Sequence, residues 1–219
     1  MASVAVENYL KSMWELGPAD VATQELAQHL SVAPASATRM LQRLSERGLV
    51  VHTPYRGASL TAAGERKALA VVRRHRLLET FLARTLKLGR DQLHDEAERL
   101  EHALSPALEA AIDDYLGNPQ RDPHGHPIPG PQGKLPAGSG DVPLGEWPLD
   151  RTAIVSQVPD RDVEMLAWLE AQELVPGREL RLVARDPFDG GVTVKLDGEL
   201  LQVAASVANE VRVSSGDEA

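Results

Sequence analysis

The chain has 219 residues, 42% hydrophobic and 25% charged, which is enough for one to three small domains with a packed core. It has no cysteine, which excludes disulfides, iron–sulfur clusters and thiolate zinc sites and leaves histidine, carboxylate, amide and thioether groups as metal ligands. Within the net charge of -9, residues 1–90 carry 13 Lys and Arg against 7 Asp and Glu, while residues 91–219 carry 10 against 25, the asymmetry of a nucleic-acid-binding part joined to something else.

No apolar run approaches the ~20 residues that cross a bilayer. The start, "MASVAVENYLKSMWEL", lacks a basic stretch and carries Glu7 and Glu15 inside its apolar pattern, so no signal peptide is expected and the cytoplasm is the expected compartment. Val4, Val6, Leu10, Met13, Trp14 and Leu16 recur near every 3.6 residues and predict an amphipathic helix over 4–16 that stops at Gly17-Pro18. Thr23 is the expected N-cap of a short helix over Gln24–Leu30. A tight turn through Ser31–Pro34 leads to a second helix ending near Arg47, with Gly48 as its C′ residue. Two β-prone pieces then flank Arg56-Gly57, and helix, turn, helix, hairpin is the order of a winged helix-turn-helix.

A long helix is expected from the cap residue Thr61 to Leu86, followed by helices over 91–104 and from Pro106 to Leu116. The Pro- and Gly-rich run Gly117–Pro148 reads as loop and linker with no regular element. Residues 149–213 read as a small β-rich barrel with one helix: strands in "RTAIVSQV", "ELRLVARD", "GVTVKLDG" and "ELLQVA", and a helix in "DVEMLAWLEAQEL".

In the second helix of the pair, Ala35, Ser36, Thr38, Arg39, Gln42 and Arg43 are spaced among apolar Ala37, Met40, Leu41 and Leu44. N-terminal residues of a recognition helix meet base edges, so Ala35, Ser36 and Arg39 are candidates for reading sequence. Arg43, Arg47 and Arg56 are candidates for phosphates. The alternative is a helical hairpin with a solvated basic face, and winged helices also bind proteins.

The stretch "HDEAERLEH" at 94–102 holds two histidines and four carboxylates. At about 100° per residue, His94, Glu98, Glu101 and His102 fall within an arc of about 100°, and Asp95 and Glu96 fall on other faces. In "RRHRLLE", His75 and Glu79 are one turn apart. Two imidazole–carboxylate faces suit manganese, ferrous iron, cobalt, nickel or zinc, although such faces are often only solvated.

The chain resembles the diphtheria-toxin-repressor/manganese-transport-regulator family of metal-dependent repressors. The resemblance rests on "ENYLKSMWEL", "ELAQHLSVAPASATRMLQRLSERGLVV", "LTAAGERKA", "RRHRLLETFL", "LHDEAERLEHALS" and "HGHPIPG". It implies a fold that is mainly α with small β parts: a winged helix-turn-helix at 1–62, a helical dimerisation and metal-binding domain at 63–140 with the Pro/Gly-rich linker from about 117 to 148, and an SH3-like (FeoA-like) module at 149–213. It implies two metal sites: one of Asn8, Glu98, Glu101 and His102, the other of His75, Glu79 and His94, which some members complete from the C-terminal module, here Gln157 and Asp160. Position 98 is Cys in iron-responsive members and Glu in manganese-responsive ones, so Glu98 points to Mn²⁺, with Fe²⁺ as the alternative and Co²⁺, Ni²⁺, Cd²⁺ or Zn²⁺ as substitutes. Asn8 stands where the family often has Met or Asp, and Lys11 where some manganese regulators have an acidic ligand. Asp122 and His126 alter the family's anion pocket beside Arg76.

The expected function is repression of metal-transport genes by a homodimer gripping a pseudo-palindromic double-stranded operator. Without metal, Glu98 and Glu101 are expected to repel each other and leave the N-terminal helix free. Two rivals remain at this level. One is a winged-helix regulator sensing a small organic ligand. The other is a metallohydrolase, against which there is no helical H-E-x-x-H, nucleophile elbow or phosphate-binding glycine loop, so no enzyme is expected.

Overall fold

Three helices and a two-stranded hairpin open the chain in the computed structural model, which describes residues 3–17, 20–53, 56–136 and 140–215. Helix α1 (Val4–Leu16) buries Val6, Tyr9, Leu10 and Met13, the stripe its spacing predicts. It stops at Gly17, whose φ of 124 suits glycine; Pro18, expected to share that role, lies outside the described residues. Helix α2 (Thr23–His29) is capped by Ala22 and not by Thr23, and no side chain caps it. The reason is tertiary: Val21 exchanges two 2.9 Å backbone hydrogen bonds with Ala58, and the helix starts where that bridge ends.

Helix α3 (Pro34–Glu46) starts with proline at its first turn, where a missing N–H costs nothing. It closes in a Schellman motif: Gly48 N–H bonds Ser45 O at 2.9 Å and Leu49 N–H bonds Leu44 O at 3.0 Å, with Gly48 at φ +66. Strands β1 (Val50–Thr53) and β2 (Gly57–Leu60) pair antiparallel from Val50↔Leu60 to Thr53↔Gly57. The expected tip at Pro54-Tyr55 lies outside the described residues.

Helix α4 spans Ala62–Phe81, and Thr61 Oγ accepts from Gly64 N–H at 3.1 Å as the sequence predicts. The expected single helix to Leu86 instead widens at Leu82 into a π-helical turn that ends at Lys87, φ 59. Leu82 is buried but Leu86 is 56% exposed, so the apolar stripe that holds an α-helix in place has already run out. Helices α5 (Arg90–Leu100) and α6 (Pro106–Leu116) follow. The helix expected over 91–104 ends early, so Glu101 and His102 lie in the turn beyond it.

The chain forms two units, residues 1–78 with 97–115 and 128–136, and residues 79–96 with 116–127 and 137–219. The first is centred on Leu10, Met13, Leu26, Leu41 and Leu44, all fully buried. Within it the buried Arg73 guanidinium bonds Glu109 at 3.0 Å, Pro129 O at 2.7 Å, and Asp113.

The second unit contains an antiparallel six-stranded sheet in the order β3-β8-β4-β5-β6-β7. Its strands are β3 (Val142–Pro143), β4 (Thr152–Gln157), β5 (Glu179–Arg185), β6 (Val192–Leu196), β7 (Glu199–Val203) and β8 (Arg212–Ser214). Helices α7 (Val163–Ala171), capped by Asp162, and α8 (Ala205–Glu210) complete it. Leu144, Val155, Leu166, Leu169, Leu182, Val194 and Val213 form its core.

Two expectations are corrected here. The Pro/Gly-rich run is not devoid of regular structure: β3 and a 3₁₀ turn at Leu144–Glu146 lie in it. Leu144 is drawn into the core, and Pro143 sits on an edge strand that tolerates its missing N–H. The C-terminal module has a second helix, α8, and a further strand, β8, both too short for their periodicity to register in sequence.

Candidate metal centres and nucleic-acid face

Helix α3 turns Ala37, Leu41 and Leu44 into the core, which leaves Ala35, Ser36, Arg39, Gln42 and Arg43 exposed. Arg39 and Arg43 are one turn apart and share a face. Arg47, after the helix, and Arg56, at the hairpin, are also exposed. Thr38 differs from the others: it is half-buried and its hydroxyl donates to Pro34 O at 3.0 Å, so its donor is committed to the helix.

In the first unit, Asn8, Glu98, Glu101 and His102 line one cavity of about 430 Å³. Asn8 Oδ1 is enclosed and accepts no hydrogen bond among the described residues. Glu101 is 1% exposed, and beside it lies Lys11, 4% exposed. The Lys11 ammonium donates to Glu101 Oε1 at 3.1 Å and Oε2 at 2.8 Å and stands 3.6 Å from Glu98 Oε1. His75 Nδ1 is 2.6 Å from Glu101 Oε2 and 3.1 Å from Lys11 Nζ. Burial pushes the Glu101 carboxyl up, but the His75 hydrogen bond and the Lys11 charge outweigh it and hold the group below its ordinary range. Glu101 is therefore ionised, and an ionised carboxylate only accepts, so His75 Nδ1 carries the proton.

His102 Nδ1 is hydrogen-bonded to Glu7 Oε2 at 2.6 Å, an oxygen that Arg74 also reaches at 3.1 Å. His102 Nε2 stands 3.4 Å from Glu101 Oε1. A carboxylate behind an imidazole is the arrangement that orients a metal-ligating histidine. An amide oxygen, an imidazole nitrogen and two carboxylates fit one divalent ion of the harder first-row type. The expected repulsion between Glu98 and Glu101 does not arise, because Lys11 places a positive charge against both.

The second unit holds another cluster. Glu79 is fully buried, with His94 Nδ1 at 3.9 Å and His124 Nδ1 at 3.8 Å from its Oε1. Ligand atoms of Glu79, His124 and Asp160 all lie within 4.8 Å of one another, and so do those of Asp122, His124 and His126. His124 has no exposed surface, and among the described residues neither of its ring nitrogens has a hydrogen-bond partner.

The loop carrying these groups is tightly held. Asp122 Oδ1 accepts from His124 and His126 N–H, each at 2.9 Å, and His124 O accepts from Val158 N–H at 2.9 Å. Gly125, at φ +89, passes so close to Ser156 that a Cβ would lie 1.9 Å from its carbonyl oxygen. His126 Nδ1 stands 3.5 Å from Asp122 Oδ2 and 3.4 Å from Asp160 Oδ2. Burial opposes its charge, but the two carboxylates prevail and raise its pKa, while Asp160 is correspondingly lowered.

Of the residues singled out in sequence, Glu79, His94 and Asp160 meet in this cluster. His75, one turn before Glu79 on α4, turns Nδ1 to Glu101. Gln157 donates its amide to Asp141 at 2.8 Å. The sequence reading did not count Asp122, His124 or His126 as ligands. Their signal was present in "DPHGH", three ligand side chains around a glycine, but it lay in a run read as linker. Arg76 stacks on the Trp14 ring at 5.5 Å.

A winged helix with an exposed arginine face, joined to buried histidine–carboxylate clusters, defines a metal-responsive DNA-binding protein. Residues 1–58 match the N-terminal DNA binding domain of the iron dependent repressors, residues 61–130 their metal binding and dimerisation domain, and residues 142–215 the FeoA domain. A manganese-dependent transcriptional repressor solved in complex with manganese is 38% identical, with a TM-score of 0.88 over 95% of this chain and 99% of that one. The manganese regulator SloR is 32% identical, with a TM-score of 0.82 over 95% and 97%. The diphtheria toxin repressor of Corynebacterium efficiens is 29% identical over 96% of this chain and 95% of its own. The chain belongs to the family of metal-dependent transcriptional repressors that includes the diphtheria toxin repressor, IdeR and MntR, a family of DNA-binding regulators and not of enzymes. Among the described residues, no helix is long and apolar enough to cross a membrane.

Proposed function

We propose that this chain is a homodimeric repressor of metal-transport genes, acting in the cytoplasm on a pseudo-palindromic operator, with Mn²⁺ as its co-repressor and Fe²⁺ as the alternative ion. His124 carries this reading. A fully buried imidazole with both nitrogens lacking hydrogen bonds is costly unless something outside the polypeptide takes a lone pair. His75, Glu79 and His94, as the resemblance implies, with His124 and Asp160 beside Glu79, would hold that ion, and Asn8, Glu98, Glu101 and His102 a second. Neither set contains sulfur, and hard oxygens with imidazole suit Mn²⁺. The bound ion supplies positive charge beside the fully buried Glu79.

Arg39, with Ala35 and Ser36, would meet base edges, and Arg43, Arg47 and Arg56 phosphates; Thr38 would pack beside them. Because ion and operator both favour the DNA-competent arrangement, each raises affinity for the other. The test is operator binding by fluorescence anisotropy on DNA from upstream of a metal-transport gene. Mn²⁺ should tighten binding at least tenfold in the wild type and leave His124→Ala unchanged. A wild type indifferent to Mn²⁺ and Fe²⁺ would overturn the reading.

A further inference from the structure

We infer that Lys11 is a resident cation of the N-terminal cluster: its ammonium occupies the half bounded by Glu101 and His75, and any divalent ion on Asn8 and His102 is bound against its charge. This rests on the metal reading above. This buried lysine is ringed by groups that would ligate an ion. Its ammonium touches both oxygens of Glu101, at 3.1 and 2.8 Å, and stands 3.6 Å from Glu98. His75 closes the same side, with Nδ1 at 3.1 Å from the ammonium and 2.6 Å from Glu101.

The opposite side is built differently. There the Asn8 amide oxygen is enclosed and, among the described residues, has no hydrogen-bond partner, and Glu7 holds His102 Nδ1 at 2.6 Å with Nε2 on the side of Glu101. The cluster thus has one half filled by an ammonium and one half bounded by the Asn8 amide and the His102 imidazole. The two halves share Glu101 and Glu98, so a divalent ion lies in the field of Lys11 and competes with it for carboxylate charge. Lys11 thereby becomes a specificity-determining residue. It limits this cluster to one ion, and it neutralises Glu101 whether or not that ion is bound.

The test uses the full chain carrying Glu79→Gln and His124→Ala, which silence the other cluster, and counts Mn²⁺ by equilibrium dialysis. Adding Lys11→Gln should tighten Mn²⁺ binding at least tenfold, and Lys11→Arg, which keeps the charge, should stay within about threefold of its parent. Melting with and without Mn²⁺ controls for folding. If Lys11→Gln folds only when Mn²⁺ is present, the ion has replaced the ammonium and the inference stands. If it fails to fold in both conditions while Lys11→Arg folds, or if it binds Mn²⁺ no more tightly than its parent, Lys11 is only a structural tie and the inference is overturned. A wild type that binds no Mn²⁺ would fell the metal reading itself, and this inference with it.

Discussion

The His124 side chain has no exposed surface and, among the described residues, its ring nitrogens have no hydrogen-bond partner; the cost of a buried unpaired group is roughly 1–3 kcal/mol. Replacing it therefore costs the metal-free chain little in polar contacts and the metal-bound chain a great deal. His124→Ala should lower the melting temperature in Mn²⁺ far more than in a chelator, which differential scanning calorimetry would read directly.

Glu101 makes a separate prediction. Its folded pKa lies below the ordinary 4.5, so it stabilises the fold above that value, and the contribution is lost as pH falls through the depressed folded value. Acid unfolding of the chelator-treated chain should therefore shift toward neutral pH in Lys11→Met. There an ionised Glu101 keeps its His75 partner but loses the ammonium, and breaking the buried pair costs about 3–5 kcal/mol. An unshifted acid midpoint would mean the pair is not coupled.

At the scale of elements, short loops decide more than helices do. Gly125 and Gly177 have the same φ, +89, but only Gly125 has a carbonyl oxygen 1.9 Å from a would-be Cβ; around Gly177 nothing lies within 4 Å. Gly177→Ala should cost about 1–2 kcal/mol, the left-handed penalty alone. Gly125→Ala adds overpacking of about 1–3 kcal/mol and should displace the Asp122–His126 loop. It should thus abolish Mn²⁺ binding at Glu79 and His124 without changing a ligand. Calorimetric titration of the two variants side by side tests this, and equal Mn²⁺ affinities would refute it.

The elements whose signals are local were readable from sequence: the α1 stripe, the Schellman end of α3 at Gly48, and the Thr61 cap. Those set by distant contacts were not. The start of α2 depends on the Val21–Ala58 bridge, and β3 depends on Leu144 finding the sheet core.

For the whole molecule, the charge asymmetry becomes a salt dependence. If Arg43, Arg47 and Arg56 meet phosphates in a homodimer as proposed, the six contacts predict a slope of log affinity against log salt of roughly −5. Arg43→Ala should flatten that slope by roughly 2 while weakening all DNA sequences alike. Arg39→Ala should cost roughly 1–3 kcal/mol on the operator and relax discrimination at one base position per half-site. Anisotropy titrations on operator and scrambled DNA separate the two effects.

By itself the sequence determined the winged helix, the arginines exposed on α3, the absence of thiolate chemistry, and the histidine and carboxylate pairs spaced one helical turn apart. These follow from composition and 3.6-residue periodicity, which act within a single element. Only the tertiary structure decided which ligand types meet. It drew His124 and Asp160 to Glu79 across 81 residues of chain, turned Gln157 to Asp141 and His75 to Glu101, and set the Lys11 ammonium against Glu101 across 90. Such meetings depend on loop closure and burial, which no spacing within one segment encodes.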